Sequence, residues 1–284
     1  MSAYRFCRTD DIGLLVDALN RCWAPYYPDE PPVTPAAFKR SIRNLQVWCS
    51  SCMVAFTGSD PIGVLIGAKR SSSTLVHKIA VHPDHRRQGH GRHLLASLGS
   101  KLAILGPPRI VAEVPEMLMP ARELFSAGGY VEEARLTDYV LDREANDVGE
   151  AAGMLVIPVT IDDLAANGLF ENHPQVCWER SVETLTARKD DIAGLAVASD
   201  ERIDAYVLYA RHGVEEAEML SLRSFIDDGG ARLKRLLSQL RSGGLKSFRF
   251  AKVHPAEISK EWVETLGFSP VGGHLLYAAR ARSD

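Results

Sequence analysis

The chain is short of several things, and each shortage excludes a class. No apolar run approaches the roughly 18 to 20 residues of a membrane helix, and the opening MSAYRFCRTDD lacks the apolar core of a secretory leader. The cytoplasm is therefore the expected compartment, with no membrane partner. Cysteine is sparse: five residues, an odd number, are scattered over 284 positions, which does not make a disulfide framework. Net charge is nearly absent as well, 33 Lys and Arg against 36 Asp and Glu. No global attraction to nucleic acid is expected, so any anion site must be local. No GK[ST] follows a glycine turn, which excludes a mononucleotide P-loop.

What is present is one order of elements, met twice. A strand pattern (AYRFCR) leads to the periodic DDIGLLVDALNRCW, an aromatic Pro-rich loop, and TPAAFKRSIRN, with Thr34 as N-cap and Pro35 at the first helical position. Three β-rich runs follow, CMVAFTG, PIGVLIGAKR and TLVHKIAV, the first two joined by the hairpin turn GSDP. After a basic glycine turn, Leu94, Leu95, Leu98, Leu102 and Leu105 recur at helical spacing. RIVAEV, PARELFSAGG and YVEEARLTDYVLD close the first half. The polar LDREANDVGEAAG reads as a linker.

The order then restarts. MLVIPVT reads as a strand, IDDLAANGLF and QVCWERSVETL as helices, and IAGLAVAS, RIDAYVLYA and EAEMLSLRSF as three strands. GGARLKRLLSQL repeats the leucine stripe, and SFRFAKV, EISKEWVETLGF and HLLYAARAR finish it. The sequence thus predicts an internal duplication: an α/β (α+β) protein of two tandem domains, residues 1–145 and 151–284, each a mostly antiparallel mixed sheet flanked by helices.

The stretch VHPDHRRQGHGRHLL joins a strand to a helix. A helix N-terminus presents unpaired N–H groups and about half a positive charge, which favours an anion. Gly89 and Gly91 are expected to let a phosphate approach the backbone, with Arg86, Arg87 and Arg92 adding charge. The turn therefore suits a pyrophosphate.

IAVHPDHRRQGHGRHLL resembles the acyl-CoA signature of the GNAT N-acetyltransferase superfamily, an apolar strand ending in V-x-P, then R-x-x-G-x-G, then an apolar helix. LFSAGGY resembles the segment that ends that family's core, and VETLGF a second copy of it. The duplicated arrangement is similar to that of the mycothiol synthases. The resemblance implies acetyl-CoA as donor, its pyrophosphate held by Arg86, Arg87, Gln88, Gly89, His90, Gly91 and Arg92, and its pantetheine arm paired with Ile79, Ala80 and Val81. It also implies direct attack by a neutral primary amine on the thioester carbonyl, with a base for the amine and an acid for the thiolate. The family's usual acid is a tyrosine at the second position of LFSAGGY, where this chain has Phe125. Tyr26, or Tyr27, Tyr130 or Tyr139, is the substitute on offer. His77, on the expected strand face of Ile79 and Val81, and Glu113 or Glu116 are the candidate bases.

Aligning the glycine turns puts Ile226, Asp227 and Asp228 beside Arg86, Arg87 and Gln88. Two carboxylates would repel a pyrophosphate, so the second domain is expected not to bind CoA. The pairs His82, His85 and His90, His93, and the C-x-x-C of Cys49 and Cys52, have metal-like spacing but read better as polar loop and strand residues; no metal is expected. The expected activity is acetyl transfer to a small-molecule or peptide amine; a non-catalytic acyl-CoA sensor is the alternative, and an aminoacyl-tRNA-dependent transferase fits the non-basic chain less well. Trp23, Tyr26, Tyr27 and Trp48 are candidate lining for an acceptor cleft. A monomer with an internal pseudo-dimer, or a homodimer, is expected.

Overall fold

The computed structural model describes residues 2–142, 155–170, 175–200 and 202–282; most of the expected linker falls outside the described residues. Among the described residues, twelve strands and eight α-helices follow one another in the predicted order. The strands are β1 (Ser2–Phe6), β2 (Met53–Thr57), β3 (Asp60–Lys69), β4 (Ser73–Val81), β5 (Arg109–Pro115), β6 (Val131–Leu141), β7 (Leu155–Val159), β8 (Ala193–Ala198), β9 (Ile203–His212), β10 (Glu216–Ser224), β11 (Ser247–Val253) and β12 (Ser269–Arg280). The helices are α1 (Ile12–Cys22), α2 (Pro35–Leu45), α3 (His90–Leu105), α4 (Met119–Ala127), α5 (Ile161–Ala166), α6 (Val182–Ala187), α7 (Ala231–Ser242) and α8 (Lys260–Thr265).

Local chemistry explains most boundaries. Thr34 accepts a hydrogen bond from the Ala37 amide and Pro35 opens α2, as the sequence predicts. Thr160 and Asp163 close a capping box at the start of α5. The stretch expected as one helix from Gln175 is instead a 3₁₀ turn at Trp178–Arg180 followed by α6, because the Ser181 side chain caps a new helix. The β2–β3 hairpin closes at Thr57 and Asp60.

Compactness divides the chain differently from the linear expectation of 1–145 and 151–284. One unit comprises Met1–Ala134 and Leu275–Asp284, the other Arg135–His274. The physical reason is strand length: β6 and β12, of 11 and 12 residues, each begin in one unit and end in the other. The first unit is thereby completed by the last residues of the chain, a non-local pairing that no local pattern announces.

Within the first unit, β1, β2, β3 and β4 run antiparallel in sequence order and β4 pairs β5 in parallel. Its core collects Leu94, Leu95, Leu98 and Leu102 of α3, Ile110, Ala112 and Val114 of β5, and Leu275 and Tyr277 of β12. Each fully buried leucine contributes roughly 1.5–3 kcal/mol. Leu105, expected in the same stripe, is two-thirds exposed at the helix end.

The second unit repeats the plan: β7, β8, β9 and β10 are antiparallel neighbours, β10 pairs β11 in parallel, and Leu233, Leu236, Leu237 and Leu240 of α7 enter the core. The repetition reaches irregularities. In both units the parallel pair is registered over only three residues, Ser73–Leu75 with Arg109–Val111 and Glu216–Glu218 with Ser247–Arg249. In both, the fifth residue of the strand, His77 or Leu220, is a bulge skipped by the register. Each unit therefore holds two parallel strands that start paired and then part.

Candidate active site

The wedge in the first unit opens beyond Leu75 and Val111. His77 and Glu113 each stand two residues past the last pair, one on each arm, so the register brings the two candidate bases level with each other. Both are partly buried. The strand alternation expected to put His77 on the face of Ile79 and Val81 does not hold, because the bulge falls on His77 itself: Gly67 pairs with Val76 and Ile66 with Lys78.

Lys78, which the sequence did not single out, lies with its ammonium 4.3 Å from the Trp23 ring centre, and Trp23 stacks on Tyr27 at 4.8 Å. Burial pulls Lys78 below the ordinary lysine range, opposed by Glu30. A cation over an aromatic ring thus occupies part of the surface expected to meet the acceptor. Trp48 stands apart from that cluster, exposed, with Lys69 over its ring at 6.0 Å.

At the far end of β4, Tyr26 is held by the turn rather than by the wedge. Its hydroxyl donates to the Val81 carbonyl and accepts from Arg86 Nε at 2.6 Å, while the Arg86 guanidinium lies 4.3 Å over its ring. Tyr26 is therefore grouped with Val81 and Arg86, four strand residues away from His77.

The turn itself presents a run of donors. Among the described residues, the amides of Arg87, Gln88, Gly89, His90, Gly91 and Arg92 have no hydrogen-bond partner; the first paired amide in the helix is that of His93, on the Gly89 carbonyl. Arg87 and Gly89 adopt left-handed backbone, φ 60° and 86°, which turns successive N–H groups toward one side. Arg86, Arg87 and Arg92 supply charge around them.

The two glycines differ in role. A Cβ at Gly89 would meet open space, and glycine is needed there for its φ. A Cβ at Gly91 would sit 3.1 Å from a Leu124 methyl, so this glycine is fitted to the contact of α3 with α4 and not only to an incoming phosphate. Gly91→Leu is expected to cost about 1–3 kcal/mol by overpacking, read as a lower urea midpoint, whereas Gly91→Ala asks Leu124 to yield only a few tenths of an ångström and leaves the midpoint nearly unchanged.

His90, read from sequence as a solvated loop residue, is buried. Its Nδ1 lies 2.6 Å from the Tyr4 hydroxyl, and its Nε2 is enclosed without a partner among the described residues. Burial lowers its pKa, and His85 and His93 lower it further. Tyr4 also packs on the His93 ring at 3.8 Å. No sequence signal ties β1 to this turn, since the contact spans 86 positions.

The thiols of the C-x-x-C are buried, Cys52 with its sulfur on the Trp48 carbonyl at 3.3 Å, and burial raises both above the ordinary thiol range. Of the substitute acids, Tyr130 is buried against the edge of Phe125 at 5.1 Å, with its phenol pushed up by burial, and Tyr139 is buried in the core of the second unit.

The second unit answers its glycine turn internally. Asp228 accepts hydrogen bonds from the Gly230 and Arg232 amides, both at 3.0 Å, and from Arg232 Nη1 at 2.9 Å. Burial opposes its charge, but these donors prevail and hold the carboxyl below the ordinary range. A carboxylate of the chain thus takes two amides of this turn, whereas the amides of the first turn are unpaired among the described residues. The buried stripes pair Leu236, Leu237 and Leu240 with Leu94, Leu95 and Leu98, and left-handed Gly229 (φ 62°) with left-handed Arg87. Asp228 then matches Arg86, two residues from the alignment read off the glycines.

Beyond the last β10–β11 pair, Arg180 donates to the β11 carbonyls of Ala251 and Lys252 at 3.2 and 3.1 Å and forms a two-pronged pair with Glu257, one prong at 2.6 Å. Both side chains are buried.

Residues 48–132 match the family model of the acetyltransferase (GNAT) domain. The whole chain shares its fold with a tandem GNAT protein from the clavulanic acid biosynthesis pathway, at 18% identity, TM-score 0.67 and full coverage of both chains. It is also similar to a GCN5-related N-acetyltransferase from Sphaerobacter thermophilus, at 13% identity and TM-score 0.68, covering 99% of this chain and 96% of that one. A GCN5-related N-acetyltransferase from Kribbella flavida matches at 11% identity and TM-score 0.64, over 98% of this chain and 70% of that one. In sequence, no curated protein matches the chain.

Proposed function

We propose, from the premise that the chain carries a GNAT acetyltransferase domain over residues 48–132, that it transfers an acetyl group from acetyl-CoA to a primary amine, through one donor site in its first unit. The observation that carries this reading is the contrast between the two glycine turns. In the first unit six consecutive amides, Arg87 to Arg92, are unpartnered among the described residues and flanked by arginines. In the second, the Asp228 carboxylate already takes two amides of the turn, those of Gly230 and Arg232. Backbone N–H groups and a helix N-terminus favour a pyrophosphate in the former and a built-in anion excludes it from the latter.

The chemistry follows from the wedge. A thioester seated along Ile79–Val81 presents its carbonyl between the arms that carry His77 and Glu113. A neutral amine attacks the carbonyl carbon, the new C–N bond forms as the C–S bond breaks, and His77 or Glu113 takes the proton that the amine nitrogen sheds. An alkylamine is protonated at neutral pH, so a base within reach is a requirement of the reaction. Lys78 adds positive charge on the acceptor side and favours an acceptor that brings a carboxylate or other anion beside its amine.

The test is a calorimetric titration with acetyl-CoA followed by a thiol-release assay over a panel of amines, with amino acids and peptides against polyamines. One site per chain and amine-dependent release of CoA thiol are expected. Binding without release for any amine supports the sensor reading, which the absence of a hydroxyl at Phe125 favours; two sites would mean that Asp228 does not exclude the pyrophosphate. No helix among the described residues is long and apolar enough to cross a membrane, and a freely diffusing small amine or peptide terminus is the proposed partner.

A further inference from the structure

The geometry points to Tyr277, on the last strand of the chain, as the acid that protonates the departing thiolate, an inference that rests on the acetyl-transfer reading above. The problem it answers is Phe125. That ring is buried and carries no proton to give. Tyr277 lies nearly parallel to it, 17° between planes and 5.9 Å between centres. The chain therefore sets a phenol beside the ring that lacks one.

The state of the hydroxyl separates Tyr277 from Tyr4 and Tyr26 of the same unit, and the setting of its ring separates it from Tyr130 and Tyr27, whose hydroxyls likewise have no hydrogen-bond partner among the described residues. Its ring is only 3% exposed, yet among the described residues its oxygen has no hydrogen-bond partner, and it is not one of the enclosed, unsatisfied polar atoms. A buried tyrosine ordinarily finds a partner for its O–H. Here the ring is fixed and the oxygen is left open to a group from outside the protein. The hydroxyl of Tyr4 is committed to His90 and that of Tyr26 to Val81 and Arg86. Tyr130 meets Phe125 edge-on at 78°, whereas Tyr277 lies along that ring. Tyr27 is stacked under Trp23.

Position agrees with the role. Tyr277 shares a core with Leu94 and Leu95, on the helix that begins at the glycine turn, and with Ala112 and Val114, which flank Glu113 on the wedge arm. Its strand is held in this unit by the Ala281 amide on the Pro108 carbonyl at 2.6 Å. In the step assigned to it, the C–S electron pair passes to sulfur and the Tyr277 O–H proton follows to give the free thiol; the phenolate then takes a proton from solvent as the base that accepted the amine proton gives one up to solvent.

The test does not require the acceptor to be known. Affinities for CoA and for desulfo-CoA are measured by calorimetry near pH 8.5, about the pKa of a free thiol, for the wild type, Tyr277→Phe, Tyr130→Phe and the double variant Phe125→Tyr/Tyr277→Phe. A phenol donating to sulfur is expected to give the wild type and Tyr130→Phe roughly a fivefold preference for CoA, of the order of one hydrogen bond. Tyr277→Phe should lose the preference and the double variant, which moves the hydroxyl to the neighbouring ring, should regain it. With an acceptor in hand, kcat should fall on the order of 100-fold in Tyr277→Phe with little change in acetyl-CoA affinity. An unchanged CoA preference in Tyr277→Phe overturns the inference while leaving acetyl transfer standing; failure of the wild type to bind either nucleotide overturns both.

Discussion

Replacing Arg86 by aspartate is expected to weaken acetyl-CoA binding by at least about 100-fold and to leave the fold unchanged. The arginine is exposed and its structural contacts are the ones to Tyr26, so its loss to stability stays within about 1 kcal/mol. Its loss to the site is larger, for two reasons that add. A charge-assisted hydrogen bond to phosphate, roughly 1.5–3 kcal/mol, disappears. A carboxylate then appears where the second unit places Asp228, and there that group accepts the Gly230 and Arg232 amides. The variant therefore turns the first turn into a copy of the second. Calorimetry with acetyl-CoA reads the affinity, and a urea unfolding curve taken on the same sample reads the fold. In the wild type the affinity should also fall as salt rises. Binding of Arg86→Asp within threefold of the wild type would show that the pyrophosphate is held elsewhere.

Much of the fold was readable from the sequence because the signals are local. The β-rich runs CMVAFTG and PIGVLIGAKR, with GSDP between, specify the β2–β3 hairpin, and the leucine stripes specify the buried faces of α3 and α7. The resemblance carried by R-x-x-G-x-G located the turn whose amides are unpaired among the described residues. What stayed hidden depends on partners distant in sequence. The role of Gly91 is set by Leu124, 33 positions on, and the burial of His90 by Tyr4, 86 positions back. The bulge at His77 is a property of the pairing with β3, invisible in the strand taken alone. Tyr277 is hidden in the sequence because its strand reads as the end of the second half, whereas its last residues complete the first unit. Charge alone was enough to foresee that Asp227 and Asp228 make the second turn different. Which of them acts, and at which position, needed the helix register.

The second unit has its own large expectation, and it concerns stability. Glu257→Gln should destabilise the protein by about 3–5 kcal/mol, because it leaves the guanidinium of Arg180, buried along with its partner, without a counter-charge. Arg180→Met should be at least as costly: it strands the Glu257 carboxylate and also frees the carbonyls of Ala251 and Lys252, which lie beyond the part of β11 that pairs β10. Arg180→Lys keeps the charge but not the planar fork, so it satisfies fewer of the four contacts and falls between these variants and the wild type. The double variant Arg180→Met/Glu257→Leu separates the two contributions. It removes both charges and so recovers the ion-pair penalty, yet it cannot recover the carbonyls, and it should settle roughly 1–3 kcal/mol below the wild type. Urea unfolding midpoints for the four variants test this order. A Glu257→Gln midpoint equal to that of the wild type would show that the pair is solvated in practice, and the wedge of the second unit would then be open to a ligand rather than closed by the chain's own side chains.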